Sequence, residues 1–310
     1  MLHSSKGSLF GCVLGLHDGR NKREGLAINL QKRRIIAISL VKLLVVVGSL
    51  MMASSAYSWG SLGHQVVCDI AWRSSAPAVQ RQLASAAKRM GYKTFAESCT
   101  WADKIKSQSR YDSLKPLHYM NVDRRDAHVR SAACVSRQPP QCVLPAIQYY
   151  LDEAKNTGLT QKERDKALLL LGHFVADIHQ PLHVSYKDDR GGTRKMVVYQ
   201  GKLMNLHRLW DTQLLYCQGI NGKRPTWRRL GAELFDRSQP SLKKIQLPVI
   251  EWAQESFEIT KAIYKEINGN NKKTSLESDY CERHYPVALS QLQLAGSRLA
   301  ALLAYFILTP

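Results

Sequence analysis

The stretch QKERDKALLLLGHFVADI, from Gln161 to Ile178, decides how this chain is read. Its apolar residues recur every three or four positions with little β-branched alternation, which predicts a helix. Near its end stand His173 and Asp177. Four residues apart on a helix, their side chains project from one face and can share a metal ion. Pro181 ends the helix, and His183 beyond it is displaced from the helix axis, so it reaches a neighbouring ion rather than the same one. The segment NLHRLWD, Asn205 to Asp211, repeats the device with His207 and Asp211. A single His-x-x-x-Asp pair is more often a core histidine satisfied by a carboxylate. Two such pairs favour a metal, and imidazole with carboxylate but no thiolate suits catalytic zinc with open positions better than a closed structural site.

Helical spacing extends to both sides of this stretch. Gly63 to Trp72, Pro77 to Met90, Leu144 to Asn156, Leu206 to Leu215, Pro248 to Ile267 and Pro286 to Leu308 all carry it, so the fold class is mainly α. Asp188 to Lys202 is the exception. Its charged Gly191-Gly192 turn followed by Met196 to Tyr199 predicts a short hairpin or extended loop. Arg124 to Gln141 is expected to be a loop closed by a disulfide rather than a linker. With no internal repeat and 45% apolar residues in 310, a single compact domain over residues 59–310 is the simplest organisation.

Residues 1–58 look different. Lys32, Arg33 and Arg34 precede an apolar run from Ile35 to Met52, and Ala56-Tyr57-Ser58 fits a small-x-small cleavage site, which predicts a cleaved secretory signal with an unusually long upstream leader. The alternative is an uncleaved anchor, since the run approaches the ~20 residues that span a bilayer, although Lys42 interrupts it. Export to the periplasm or the exterior follows, with no stable membrane partner after cleavage. The full chain carries 44 Lys and Arg against 25 Asp and Glu, a net charge of +19; the leader holds eight and two of these, leaving +13. A basic balance of this size suits a polyanion, although it also serves solubility. Of seven cysteines, Cys12 leaves with the leader, and an even set in an exported chain favours disulfides over zinc ligation. Cys134–Cys142, Cys68–Cys99 and Cys217–Cys281 are the expected pairs among about 15 possible connectivities.

Further histidines and acids complete a series: Trp59-Gly60 with Gly63-His64, Trp101-Ala102-Asp103, His118-Tyr119, His173 through His183, and Asn205-Leu206-His207 with Asp211. In residue type, order and approximate spacing this series resembles the S1/P1 nuclease family, from Trp59 to about Cys217. The resemblance implies the helical fold shared with zinc phospholipase C and three zinc ions. Asp103, His118, His173 and Asp177 would hold one; the backbone amine and carbonyl of Trp59 with His64 would hold a second, sharing Asp177 as a bridge. His183, His207 and Asp211 would hold the third. Only a free α-amine has a lone pair to offer a metal, so leader cleavage before Trp59 would complete the second site.

The implied activity is hydrolysis of single-stranded DNA and RNA to 5′-nucleotides, with 3′-nucleotidase activity on 3′-nucleotides, by a monomer. A metal-bound hydroxide would attack phosphorus, and the third zinc would stabilise the departing 3′ oxygen. Asp177 and Lys106 are the catalytic candidates, Lys106 standing where the family tends to carry a basic side chain that would stabilise the phosphorane. Tyr119 matches an aromatic position that stacks a base. Asn121 stands where some relatives carry a carboxylate that contacts the base, and Thr193 replaces the asparagine expected after Gly191-Gly192, so detailed base preference does not transfer. His179, His128 and His284 lack supporting context and are expected to be core or surface residues. Two other functions compete. A zinc-dependent phospholipase C typically has a glutamate where this chain has Asp211, and a non-catalytic zinc-binding envelope protein would not need ligands spread so far along the chain.

Overall fold

A computed structural model describes residues 59–130, 134, 139–218, 224–237, 240–267 and 273–308, all within one compact unit; the predicted leader lies outside the described residues. The elements in chain order are α1 (Ser61–Arg73), α2 (Pro77–Arg89), α3 (Phe95–Ser98), α4 (Trp101–Ile105), β1 (Met120–Val122), α5 (Val143–Lys155), α6 (Gln161–Ile178), β2 (Val184–Tyr186), β3 (Met196–Tyr199), β4 (Lys202–Asn205), α7 (Leu206–Arg208), α8 (Trp227–Asp236), α9 (Leu242–Ile245), α10 (Val249–Glu266), β5 (Lys273–Ser275) and α11 (Tyr280–Leu308). The fold is mainly α, as the sequence pattern requires.

Helix α6 lies at the centre. Thr160 and Glu163 form a capping box, with Thr160 N–H donating to Glu163 Oε2 over 2.8 Å, which satisfies donors at a start where the helix has no internal partners. From Ala167 to Ile178 every residue is buried, so the second half of the helix is interior on all sides, with α1, α2, α5 and α11 packed around it. Leu171, Phe174 and Val175 are fully buried, each contributing about 1.5–3 kcal/mol. That apolar wall offsets the cost of placing His173 and Asp177 inside.

The three expected disulfides form, Cys68–Cys99, Cys134–Cys142 and Cys217–Cys281. The first runs directly over Gly172, where a Cβ would stand 2.7 Å from the Cys99 sulfur and 2.9 Å from that of Cys68. The glycine before His173 is therefore a packing requirement.

Helix α11 begins one and a half turns before the predicted start at Pro286 and carries that proline inside it. A proline normally marks a first turn, but here tertiary contacts hold the earlier residues: Cys281 in its disulfide, Tyr280 accepting a 2.9 Å hydrogen bond from Trp210, and Arg283 on Glu266 at 2.6 Å. Tyr280–Ala304 is long and apolar enough to cross a membrane, yet 67% of that window is buried, as befits a core helix.

The region expected as one helix from Leu206 to Leu215 is instead α7, a wide π-turn at Leu209–Gln213 and a 3-10 turn at Leu214–Tyr216. The Asp211 carbonyl accepts from Gly60 N–H over 2.7 Å, drawing the chain out of regular helical bonding. The predicted hairpin is present but displaced. Strands β3 and β4 pair antiparallel across a Gln200-Gly201 turn with φ of 49° and 74°, the doubly left-handed geometry that fits strand twist. Strand β5 joins β3 in parallel, and residues 187–194 form a separate turn.

Candidate metal centre

A short parallel pair that sequence periodicity did not reveal organises the site. Strand β1 pairs with β2 in the register Met120↔Val184, which brings the residues just before each strand together: His183 Nδ1 donates to the His118 carbonyl over 2.6 Å. Helix α6 supplies His173 and Asp177, α1 supplies His64, α4 supplies Asp103, and the irregular α7 region supplies His207 and Asp211. Three groups result: His64, His173 and Asp177; Asp103, His118 and His173; and His183, His207 and Asp211. Asp177 stands among them. Its Oδ1 is 3.5 Å from His64 Nε2 and 3.4 Å from His183 Nδ1; its Oδ2 is 3.0 Å from His118 Nδ1 and 3.2 Å from His173 Nε2. Asp103 lies 3.9 Å from both His64 and His173.

Three of these imidazoles are oriented by main-chain carbonyls. Nδ1 of His173 contacts the Cys99 oxygen at 2.7 Å, that of His183 contacts the His118 oxygen at 2.6 Å, and that of His207 contacts the Gly191 oxygen at 2.7 Å. A carbonyl only accepts, so Nδ1 carries the proton and the neutral ring presents its Nε2 lone pair to the interior. Nε2 of His207 then faces Asp211 Oδ2 at 3.3 Å, and Nε2 of His183 faces Asp211 Oδ1 at 3.7 Å. This is the arrangement by which outer groups fix metal-ligating histidines. His118 Nε2, His183 Nε2 and Asp177 Oδ1 are buried without a hydrogen-bond partner. Closely packed lone pairs and carboxylate oxygens that find no donor call for a cation, so the residues fit a metal.

Electrostatics follow from burial. His64 and His183 are pushed down to about 3 by desolvation, and Asp211 is raised well above the usual carboxylate range for the same reason. Burial also opposes ionisation of Asp177, yet His173 and His183 outweigh it and hold this carboxyl well below the usual range; His173 is raised in return, chiefly by Asp177 against its own burial. A stability consequence can be measured on chelator-treated protein. His64, His179 and His183 stay neutral in the folded state down to about 3, whereas unfolded imidazoles protonate near 6.5. The unfolded chain therefore gains protons first at these three sites, and their contribution to stability falls as pH drops from about 6.5 toward 3, by up to about 1.4 kcal/mol per pH unit for each histidine, with the raised His173 and Asp211 opposing in part. Urea midpoints should be flat above pH 7 and fall steadily below 6; a flat profile down to pH 4 contradicts this.

Trp59 is fully buried at the head of α1, against Gly63, whose Cβ would stand 2.8 Å from that of Trp59. Lys106 donates to Asp103 Oδ1 over 2.9 Å at the rim of the cluster. Tyr119 is 42% exposed and Asn121 is exposed, while Met120 and Val122 between and beyond them point inward. Thr193 sits half-buried in the glycine turn, its N–H donating to the Arg190 carbonyl. His179 lies in the core, its Nδ1 on the Val175 carbonyl and its Nε2 accepting from the buried Arg298. His284 pairs with Glu266, and His128 is exposed and outside the groups.

Sequence reasoning missed the residues that hold the ligands. Gln180 donates to Asp211 Oδ1 and accepts from Leu182 N–H. Asp189 accepts from Gly192 N–H at 2.9 Å and from the Tyr264 hydroxyl at 2.5 Å, which secures the turn whose Gly191 carbonyl orients His207. The only sequence signals were a Gln before Pro181 and an acid ahead of two glycines.

A helical domain enclosing three carboxylate-linked histidine groups can hold metal ions, as a metal-dependent hydrolase requires. Residues 59–307 match the S1/P1 Nuclease family model. The chain belongs to that family and is a nuclease. Among its relatives, it is 30% identical to Endonuclease 2 of Arabidopsis thaliana over 86% of this chain and 96% of that one. It is 31% identical to Nuclease S1 of Aspergillus oryzae over 54% of this chain and 58% of that one. Against Nuclease P1 of Penicillium citrinum the identity is 26% over 50% and 58%.

Proposed function

We propose that the chain is an exported, zinc-dependent phosphodiesterase that hydrolyses single-stranded DNA and RNA to 5′-nucleotides and also removes phosphate from 3′-nucleotides. The observation that carries this reading is the trio of histidines whose Nδ1 atoms are tied to carbonyls while their Nε2 atoms converge around Asp177 and Asp211. Asp103, His118, His173 and Asp177 would hold one zinc, His64 and the Trp59 main chain a second shared through Asp177, and His183, His207 and Asp211 a third. Bound zinc supplies a nucleophilic water at neutral pH and positive charge for a phosphodiester.

The protein residues do the rest. Asp177 holds the groups in register. Lys106, within reach of Asp103, contributes a cation where negative charge develops on phosphorus. Tyr119, exposed immediately after His118, offers a face on which a base stacks, and Asn121 on the same face of β1 meets its edge. Three disulfides suit an oxidising compartment, and export with cleavage before Trp59 frees the α-amine.

Protein beginning at Trp59 should bind about three zinc ions by metal analysis and release 5′-phosphorylated products from both polymers. A form retaining the residues before Trp59 should bind one fewer and turn over far more slowly. Zinc-loaded, folded protein that leaves both polymers intact overturns the reading and moves the search to phospholipids. Tyr119→Ala should raise KM for single-stranded DNA about 10-fold, the ~1–3 kcal/mol of one stacked base, with zinc content unchanged.

A further inference from the structure

Two large hydrophobic side chains stand exposed among the described residues, Tyr119 at 42% and Leu203 at 58%. Tyr119 borders the group containing His118. Leu203 lies on β4, the strand that ends at Asn205, two residues before His207. The register settles which way it points. Val197 and Tyr199 face the interior, so Val198 faces outward, and Leu203, paired with Val198, shares that outer face.

Some exposed arginines are matched by acids, Arg125 with Asp123, Arg237 with Glu233 and Arg283 with Glu266. In the 187–208 segment the two acids are already engaged, Asp188 by Arg124 and Asp189 by Tyr264 and Gly192. Arg190 on the glycine turn, Lys202 on β4 and Arg208 directly after His207 are exposed and form no ion pair among the described residues. β4 is also an edge of its sheet. An exposed leucine on an edge strand, flanked by unneutralised cations, is a surface for a polyanion with apolar faces, which describes a single-stranded nucleic acid.

We propose that a strand held at the metal centre continues over the β3–β4 hairpin, where Arg190, Lys202 and Arg208 meet its phosphates and Leu203 packs on a base. Leu203 and Lys202 lie about 7 and 10 Å along the strand from Asn205 at the root of the site. The inference rests on the nuclease reading above, which puts the His183, His207 and Asp211 group on the departing 3′ oxygen. That oxygen belongs to the nucleotide 5′ of the cut. The hairpin therefore holds the 5′ side of the substrate, and the enzyme prefers strands extended in that direction over dinucleotides.

The test compares zinc-loaded wild type with Lys202→Ser/Leu203→Ser, on a thymidine dinucleotide and on oligomers whose single cleavable linkage is extended by hydrolysis-resistant phosphorothioates on either the 5′ or the 3′ side. Wild type should gain about 10-fold in kcat/KM on 5′ extension, equivalent to about 1.4 kcal/mol. The double variant should lose that gain through KM, keep its zinc and its dinucleotide rate, and show a salt slope of log KM shallower by about 0.7 for the lost phosphate contact. A variant that keeps the 5′ gain, or a wild-type gain that follows 3′ extension instead, overturns the hairpin track while leaving the nuclease reading standing. Failure of wild type to cut any of these substrates overturns both.

Discussion

Asp177→Asn should strip most of the metal from the centre. The carboxylate is fully buried and stands within 3.0–3.5 Å of His64, His118, His173 and His183. An amide keeps the shape but removes the charge and replaces one metal-binding oxygen with an NH2, which offers a metal no lone pair and instead donates to a histidine nitrogen that would otherwise face the ion. Breaking a buried charge pairing costs about 3–5 kcal/mol, equivalent to about 10²–10⁴-fold in metal affinity. From the three zinc ions proposed, metal content should fall to one or fewer, and hydrolysis of the proposed DNA and RNA substrates should drop at least in proportion. The control is Asp165→Asn, a second fully buried carboxylate, bonded to Arg89 at 2.6 and 2.7 Å at the other end of α6. That variant should lose stability and keep its zinc. If both variants lose metal alike, the effect of Asp177 is on folding and its bridging role falls.

With three zinc ions bound as proposed, Gly191→Ala should remove one and leave the other two. Gly191 has φ of 62°, and a Cβ there would stand 2.5 Å from the Leu182 carbonyl oxygen. The left-handed conformation alone costs about 1 kcal/mol for a residue with a side chain. The clash is the larger effect, because it involves main chain just before His183 and cannot be relieved by a rotamer change. The turn must shift, and its carbonyl is the group that orients His207. Loss of such an orienting partner typically costs about 10–100-fold in metal affinity or activity. Metal analysis should give one ion fewer, with kcat reduced and KM little changed, and excess zinc should restore part of the rate. Gly201→Ala is the comparison, since Gly201 has φ of 74° but nothing within 4 Å of its Cβ position. It should cost stability only. Equal zinc loss in both would show that backbone strain, rather than the position of His207, is responsible.

Much of this was legible from residue pattern. The helical class follows from three- and four-residue apolar recurrence, which is a local property of the chain. The pairs His173/Asp177 and His207/Asp211 are visible because the residues of each pair are one helical turn apart. The disulfide partners were also within reach. The parallel pairing of β1 with β2 was not, because each strand is three residues long and too short to show alternation. The π-turn at Leu209–Gln213 was hidden as well, since its sequence carries the same apolar spacing as a helix and only the Gly60–Asp211 hydrogen bond distinguishes it.

By itself, the sequence determined the types of group available for chemistry, the helical scaffold, and a resemblance specific enough to name a family. The tertiary structure alone decided that Asp177 lies between histidines brought from α1, α6 and the β1–β2 pair, and which ring nitrogen each histidine turns inward. The carbonyls of Cys99, His118 and Gly191 do that orienting for His173, His183 and His207. Main-chain groups are the same at every position, so their roles leave no mark in residue type and exist only once the chain has folded.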